Sequence, residues 1–152
     1  MLLKGAAAAR ALAQPDPAVR LYVLGGPDEA GSRALAADLA RAMGADADRV
    51  DLPTARLRED PAMLADEAAA IGLFGGRRWI SVALSSGGGD ELIAAAENLL
   101  AAPAAGNPVV VVGAGITARS RLAKLAEKHA QALLVISWPP EGDAADRLAE
   151  TL

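Results

Sequence analysis

The sequence contains no cysteine, and this absence excludes two kinds of site. Without thiols the chain can form neither a disulfide framework nor a thiolate site for zinc or an iron–sulfur cluster. It has a single histidine, His129, so a multi-histidine metal site is excluded as well. His129 follows a Lys-Leu-Ala-Glu-Lys run, and we interpret it as a surface or helix-end residue. Little is left for covalent or general-base catalysis, and we predict no metal, no cofactor and no intrinsic catalysis.

Positive charge and long apolar runs are also scarce. The chain carries 15 Lys and Arg against 19 Asp and Glu, and a net-acidic domain is a poor candidate for gripping DNA by charge alone. No apolar run approaches the roughly 20 residues of a membrane-spanning helix. The apolar start of the chain is interrupted by Lys4 and Arg10 and lacks the layout of a signal peptide. We therefore expect a cytoplasmic protein without membrane contact.

The sequence does contain a regular alternation of predicted strands and helices. Its hydrophobic content of 53% is too high for a disordered chain, and 152 residues suit about one domain. Apolar runs rich in β-branched residues predict strands, and apolar residues recurring every three to four positions predict helices. The predicted strands cover residues 19–24, 49–53, 77–84, 108–112 and 132–138. The predicted helices cover residues 4–12, 32–43, 60–72, 90–100 and 119–131, and a last helix begins at residue 143.

This alternation predicts the fold class. Near-continuous apolar strands separated by helices are typical of a parallel sheet covered on both faces. We expect a three-layer α/β domain with five parallel strands, laid out like a P-loop NTPase, with residues 108–112 as the central strand. The last helix has no strand to return to. We therefore assign residues 1–140 to one domain and residues 141–152 to the truncated start of a following helical domain.

A glycine loop after the first predicted strand has the spacing of a phosphate-binding loop. Gly26 and Gly31 match the two glycines of G-x-x-x-x-G-K-[ST]. However, Ser32 stands in place of the phosphate-binding lysine and Arg33 in place of the Mg²⁺-binding hydroxyl. The carboxylates of residues 28–29 would repel a phosphate. We interpret the loop as a degenerate P-loop that does not bind nucleotide, and a nucleotide-binding protein that uses it is the alternative hypothesis.

A second glycine loop, at residues 113–118, resembles a dinucleotide-binding fingerprint of the type G-x-G-x-x-A. The surrounding sequence does not fit, because no acidic residue ends the next strand to hold a ribose and only one strand follows. A dinucleotide or nucleotide-sugar enzyme is therefore a minor alternative.

A run of basic residues follows this loop on a predicted helix. It comprises Arg119, Arg121, Lys124 and Lys128. Such a run can contact a DNA backbone, although a charged run is more often a solvated helix face. Both interpretations stay open on the sequence.

The most informative stretch joins the third predicted helix to the third strand. It reads Leu73-Phe74-Gly75-Gly76-Arg77-Arg78. A Leu-Phe pair at the end of a helix can insert into an apolar pocket of a partner protein. The alternative is that both side chains pack beneath the sheet, as apolar residues usually do.

This stretch resembles the delta subunit of the bacterial DNA polymerase III clamp loader. Other parts of the chain are similar to the same family: the opening Leu3-Lys4-Gly5, the strand and turn at residues 21–29, the strand at residues 109–112 and the basic helix at residues 119–125. The resemblance covers the whole chain but only the family's first domain, which a helical lid domain and a collar domain follow. The absence of cysteine favours delta among its relatives, several of which carry a four-cysteine zinc module.

The resemblance implies a function. The family's first domain has an AAA+-like fold, does not hydrolyse ATP, and binds the ring-shaped beta sliding clamp so that the ring opens for loading onto DNA during replication. The clamp-binding role falls on Leu73 and Phe74. The expected partners are the clamp and, mainly through the missing carboxy-terminal domain, other clamp-loader subunits of the polymerase III holoenzyme. DNA is expected only in the assembled complex, at Arg119, Arg121 and Lys124, and the fragment itself is expected to be monomeric.

Overall fold

The computed structural model describes residues 1–71 and 76–139. The described part contains five strands: β1 (Leu21–Gly25), β2 (Asp48–Asp51), β3 (Arg78–Ala83), β4 (Val109–Gly113) and β5 (Ala132–Ile136). It contains six α-helices: α1 (Gly5–Ala13), α2 (Glu29–Met43), α3 (Thr54–Glu59), α4 (Ala62–Ala69), α5 (Ile93–Ala101) and α6 (Arg121–Lys128). A 3-10 turn, Asp90–Leu92, precedes α5. The final predicted helix and the predicted domain boundary lie outside the described residues.

The five strands form one sheet in the order β2-β3-β4-β1-β5, with every neighbouring pair parallel. The predicted fold class is confirmed, and β4 is the central strand as its β-branched run indicates. β1 lies between β4 and β5, so that Leu21 pairs with both Val109 and Ala132. All five residues of β1 are buried, which explains why this strand is apolar throughout.

Helices cover both faces of the sheet and create two separate cores. On one face α1 and α2 pack against alternate residues of the strands, including Tyr22, Trp79 and Val110. On the other face α3, α4, α5 and α6 pack against the intervening residues, such as Val23 and Val111. The helices that follow the neighbouring strands β1 and β4 therefore lie on opposite faces. This reversal places a topological switch point at the carboxyl ends of β1 and β4, where open α/β sheets usually bind ligands.

Several predicted helix boundaries were wrong. Helix α2 begins at Glu29 rather than at residue 32, because the Asp28 side chain caps it. The predicted helix 60–72 ends at Ala69, and Ile71, which lies beyond that end, is 87% exposed. Its amino end is not capped by the Asp60 side chain. Asp60 instead ends α3, whose six residues are too few to show a helical period in the sequence.

The carboxyl-terminal part differs from the prediction in three details. Helix α6 begins at Arg121, so Arg119 lies in the turn that precedes the helix and not on it. The fifth strand ends at Ile136, two residues before Trp138. The predicted helix 90–100 is α-helical only from Ile93, because its first three residues, Asp90–Leu92, form the 3-10 turn. His129 does lie at a helix end, where its Nδ1 accepts the backbone N–H of Gln131 at 3.1 Å.

Candidate functional site

The two glycine loops that resemble nucleotide sites meet at the carboxyl edge of the sheet. The backbone N–H of Gly26 donates to the carbonyl of Ile116 at 2.8 Å. Ile116 is fully buried over the ends of β1 and β4. The loop after β1 is also joined to the chain after β5, because the N–H of Asp28 donates to the carbonyl of Ser137 at 3.1 Å. Backbone groups that a phosphate-binding loop would offer to a ligand are thus bonded to neighbouring loops.

Glycine is required at this edge because backbone segments approach each other closely. Gly26 has φ of +98°, and a Cβ there would overlap the carbonyl of Ser137. A Cβ at Gly115 would lie 2.5 Å from the carbonyl of Gly87, in the loop after β3. These glycines therefore accommodate neighbouring protein backbone, which gives a physical reason for the motif-like spacing that does not involve a nucleotide.

A carboxylate occupies the anion-binding position at the start of α2. Asp28 Oδ1 accepts the backbone N–H of Gly31 at 3.0 Å, so this helix amino end is capped from within the chain. Gly31, Ser32 and Arg33 all lie within the helix. This arrangement differs from a phosphate-binding loop, in which the freed N–H groups point at the ligand.

The other two P-loop positions, Ser32 and Arg33, also contact groups of the protein itself. Ser32 is buried, and its hydroxyl lies 3.4 Å from the carbonyl of Gly25. Arg33 is exposed and its guanidinium pairs with Glu29 at 2.9 Å. It lines an open cleft of ≈ 640 Å³ between α2 and the carboxyl ends of β3 and β4, whose floor includes Trp79 and Ser81.

The loop at residues 113–118 does not lead directly into a helix. Residues 117–120 form a turn in which Ser120 Oγ accepts the N–H of Thr117 at 2.9 Å, and α6 starts only at Arg121. The pyrophosphate of a dinucleotide is bound at the amino end of a helix that opens within the fingerprint. The dinucleotide alternative therefore lacks the required geometry here.

The basic residues lie on the exposed side of α6. Arg121, Lys124 and Lys128 are exposed at a spacing of three and four residues, and Arg119 is exposed in the preceding turn. The three helical residues border a shallow groove against α5 that also contains Glu97. The surface is therefore basic along one stripe but not free of negative charge.

Leu73 and Phe74 fall outside the described residues, so their contacts are not part of the structure. The flanking residues are described: α4 ends at Ala69, Ile71 is 87% exposed, and β3 begins at Arg78. This connection enters β3 at the amino edge of the parallel sheet, opposite the glycine loops. An exposed isoleucine beside the Leu-Phe pair is unusual, because large apolar side chains are mostly buried.

Asn107 holds the carboxyl end of α4, from which this connection departs. Its Nδ2 donates to the carbonyls of Glu67 at 3.0 Å and Ala70 at 2.7 Å. Its backbone N–H donates to the carbonyl of Ala68 at 2.9 Å. The carbonyl of Glu67 also accepts the backbone N–H of Ala70 at 3.2 Å, whereas those of Ala68 and Ala70 lie at the helix end, where donors from the helix itself are lacking.

An ion pair connects the two ends of the same connection. Arg78, the first residue of β3, pairs with Glu67 of α4 at 3.0 Å, and both side chains are partly buried. We refer to Glu67, Arg78 and Asn107 as the α4-end cluster. The sequence does not predict this cluster. The only available signal was Asn107-Pro108 directly before the central strand, which identifies a turn but not its partner.

A buried hydroxyl lies close to the α4-end cluster. Tyr22 lines a small cavity of ≈ 130 Å³ together with Arg77 and Asn107, among other residues. Within the described residues its hydroxyl is buried without a hydrogen-bond partner. Burial raises the pKa of Tyr22 to about 12, and the negative charge of Asp16 adds to this rise.

Within residues 1–71 and 76–139, no group of three or more acidic or histidine side chains is placed to hold a metal ion. The helices of the same ranges are all too short or too polar to cross a membrane.

Comparison with known proteins finds a likeness among solved structures. No protein-family model and no curated sequence matches the chain. Among solved structures it is similar to the DNA clamp loader delta protein YqeN of Bacillus subtilis, with 20% sequence identity and a TM-score of 0.56. The match covers 95% of this chain and 47% of that chain, so this chain spans about half the length of that protein. The likeness establishes the fold: a five-stranded, three-layer parallel α/β domain of the kind found in a clamp-loader delta protein.

Proposed function

We propose that this chain is the first domain of a clamp-loader delta-type subunit, a non-catalytic protein that binds a sliding clamp. Leu73 and Phe74 insert into an apolar pocket of the clamp and favour the open ring. Other loader subunits are bound mainly by domains that follow this one. The likeness of the fold to a clamp loader delta protein over 95% of the chain is the single observation that carries the proposal.

Two further features support a protein contact at the connection between α4 and β3. Ile71 is 87% exposed, and it precedes Leu73 and Phe74 by only two and three residues. Three large apolar residues within four positions are typical of an anchor for a partner's pocket. The glycine loops at the opposite edge are bonded to each other or capped by Asp28, which favours a binding function over a nucleotide-dependent one.

The energetic role of the contact follows from differential binding. A clamp-binding protein shifts the ring toward its open state only by as much as it binds that state more tightly. Burial of a large apolar side chain contributes about 1.5–3 kcal/mol. Leu73 and Phe74 together therefore supply a shift of several kcal/mol if their pocket is better formed in the open ring.

The proposal is tested by replacing both anchor residues. The Leu73→Ala, Phe74→Ala variant is expected to bind the sliding clamp of the same organism at least 100-fold more weakly, since about 3 kcal/mol or more of apolar burial is lost. Surface plasmon resonance with immobilised clamp measures the affinity, and far-UV circular dichroism verifies the fold. Undiminished affinity in a folded variant would overturn the proposal.

Two control variants separate the anchor from exposed side chains in general. Leu2→Ala with Trp138→Ala removes two large apolar residues that are also exposed, at 38% and 69%. Trp138 follows β5, at the opposite edge of the sheet. Arg121→Ala with Lys124→Ala removes two charges from the basic stripe on α6. Both variants are expected to retain clamp affinity.

A further inference from the structure

We propose that the open cleft beside α2 binds a small ligand in which a flat aromatic ring carries a single anionic group. We refer to it as the α2 cleft: one wall is the side of α2 that contains Arg33, and the floor is formed by β3 and β4. Its volume of ≈ 640 Å³ lies within the range of roughly 300–1,000 Å³ that is typical of small-molecule sites. The α2 cleft lies at the carboxyl ends of the strands, whereas the proposed clamp contact lies at the amino edge.

The floor of the α2 cleft is a part of the sheet that the described helices leave uncovered. β3 is an inner strand, and the inner strands of a parallel sheet are normally buried on both faces. On the α2 face, however, Ala83 of β3 is exposed, and Ser81 and Val112 are only partly buried. The residues of α2 that line the cleft above this floor are mostly small: Ala36, Ala37 and Ala40. A flat apolar ring therefore has room to pack between the helix and the sheet.

Arg49 supplies a flat surface on which such a ring can stack. Its guanidinium lies over the ring of Trp79, with Cζ 5.2 Å from the ring centroid. Trp79 is buried, whereas the Arg49 side chain is 58% exposed and lines the cleft. A guanidinium is planar and stacks on aromatic rings. A ligand ring on its other face would extend the stack that Trp79 begins.

The charges in the α2 cleft favour an anion of one negative charge. Among the described residues, the lining carries two positive charges, Arg33 and Arg49, and one negative charge, Glu29, in a chain whose formal net charge is −4. Each arginine has an exposed carboxylate partner at 2.9 Å, Glu29 for Arg33 and Asp51 for Arg49, and such exposed pairs contribute little. A ligand carboxylate can therefore replace Glu29 as the partner of Arg33. The several charges of a triphosphate would exceed what these side chains balance.

The test uses naphthoate, a flat bicyclic ring that carries one carboxylate. Naphthoate is titrated into the isotopically labelled chain, and NMR follows the two indole N–H signals, which the Trp138→Phe variant assigns. We expect the Trp79 signal to shift saturably with a Kd of about 1 mM, the affinity that a ligand of this size allows. Trp138 follows β5 and does not line the α2 cleft, so its signal is expected to remain unchanged.

Two further probes separate the ring from the charge. Naphthalene methanol keeps the ring without a charge, and hexanoate keeps the carboxylate without a ring. Each is expected to bind about tenfold more weakly than naphthoate, since one of the two contacts is missing. If either probe binds as tightly as naphthoate, the proposed ligand class is wrong.

Matched variants on α2 test whether binding occurs in the cleft. Ala37→Phe fills the cleft from an exposed position and is expected to abolish the Trp79 shift, whereas Ala34→Phe, exposed outside the cleft, is expected to leave it unchanged. Arg33→Gln is expected to weaken naphthoate binding about tenfold, because the charged partner of the carboxylate is lost. Arg41→Gln breaks another ion pair of α2, with Asp38, and is expected to have no effect.

The outcomes distinguish a small ligand from a protein partner. The proposal is refuted if naphthoate does not shift the Trp79 signal up to about 10 mM, or if Ala37→Phe binds it as tightly as the parent chain. If naphthoate does not bind but Ala37→Phe weakens binding to the sliding clamp, the cleft receives a side chain of a partner protein instead. Neither result depends on the variant that replaces Leu73 and Phe74, so the proposed function is tested separately.

Discussion

The two edges of the sheet are organised in opposite ways. At the carboxyl edge, where this kind of fold usually binds ligands, loops are bonded to one another: Gly26 to Ile116, and Asp28 to Ser137 and Gly31. At the amino edge, hydrogen bonds fix both ends of a connection that carries an exposed Ile71. At the first edge the polar groups bond to one another, whereas at the second they fix the end of α4 and the start of β3.

This difference explains why motif spacing at the carboxyl edge is a poor guide to function. Glycines at this edge allow loops to pass within van der Waals contact of each other, and they would be needed with or without a ligand. The amino edge carries no recognisable ligand motif. Its interest lies in an arrangement of ordinary side chains around a helix end, and only the structure reveals that arrangement.

The largest effect on stability is expected from adding a side chain at Gly26, at the carboxyl edge of the sheet. Gly26→Ala is expected to lower the free energy of unfolding by about 3 kcal/mol, because φ of +98° is strained for alanine and its Cβ overlaps the Ser137 carbonyl. Urea denaturation monitored by circular dichroism measures the change. The control is Gly106→Ala at the amino edge, where nothing lies within 4 Å of an added Cβ.

Equal stability of the two glycine variants would also be informative. If Gly26→Ala is as stable as Gly106→Ala, the loop after β1 has room to move away from Ser137. The carboxyl edge would then be open to a ligand, and the nucleotide-binding alternative would regain support.

An intermediate effect is expected from the buried hydroxyl near the amino edge. Burial raises the pKa of Tyr22 from 10.0 to about 12, so the unfolded chain loses this proton before the folded chain does. Stability is therefore expected to fall as the pH rises from 10 toward 12, because the unfolded state binds fewer protons in that interval. Tyr22→Phe is expected to remove this part of the pH dependence.

Comparing the parent chain with Tyr22→Phe separates the ionisation of Tyr22 from that of other groups that ionise at alkaline pH. Urea unfolding of the parent chain and of Tyr22→Phe at several pH values above about 9 gives the difference directly. At neutral pH the variant is expected to be at least as stable as the parent, since the described residues offer this hydroxyl no hydrogen bond to lose. An identical pH dependence in both proteins would show that the hydroxyl is hydrated in the folded state.

The sequence was sufficient for the layers and the central strand because both depend on long-range burial. The valines of β4 are β-branched and continuous, and such a run is stable only between two covered faces. The sequence was insufficient for helix ends. Whether α2 begins at Glu29 or at residue 32 depends on one Asp28 carboxylate, and whether α4 ends at Ala69 or at residue 72 depends partly on Asn107, 38 residues away in the chain.

The candidate site was predicted unevenly for the same reason. Local patterns predicted that Gly26 lies in the loop after β1 and that Arg121 lies on the helix after β4. The proposed role of Leu73 and Phe74 came from a family resemblance. Neither source could indicate that Asn107, Glu67 and Arg78 form one cluster. Their contacts join three separate elements, and no periodicity or spacing connects them.

The smallest effect on stability is expected at Asp28. This substitution tests whether an Asp28 cap takes the place of a bound anion at the carboxyl edge. Asp28→Ala removes the cap from Gly31 and is expected to cost about 1 kcal/mol of unfolding free energy. Asp46→Ala, at an exposed turn position, is the control and is expected to change stability by less than about 0.5 kcal/mol.

Isothermal titration with MgATP is expected to show no saturable binding to the parent chain, because Asp28 occupies the position that an anion would take. Saturable binding would contradict this assignment and place the functional site at the carboxyl edge after all.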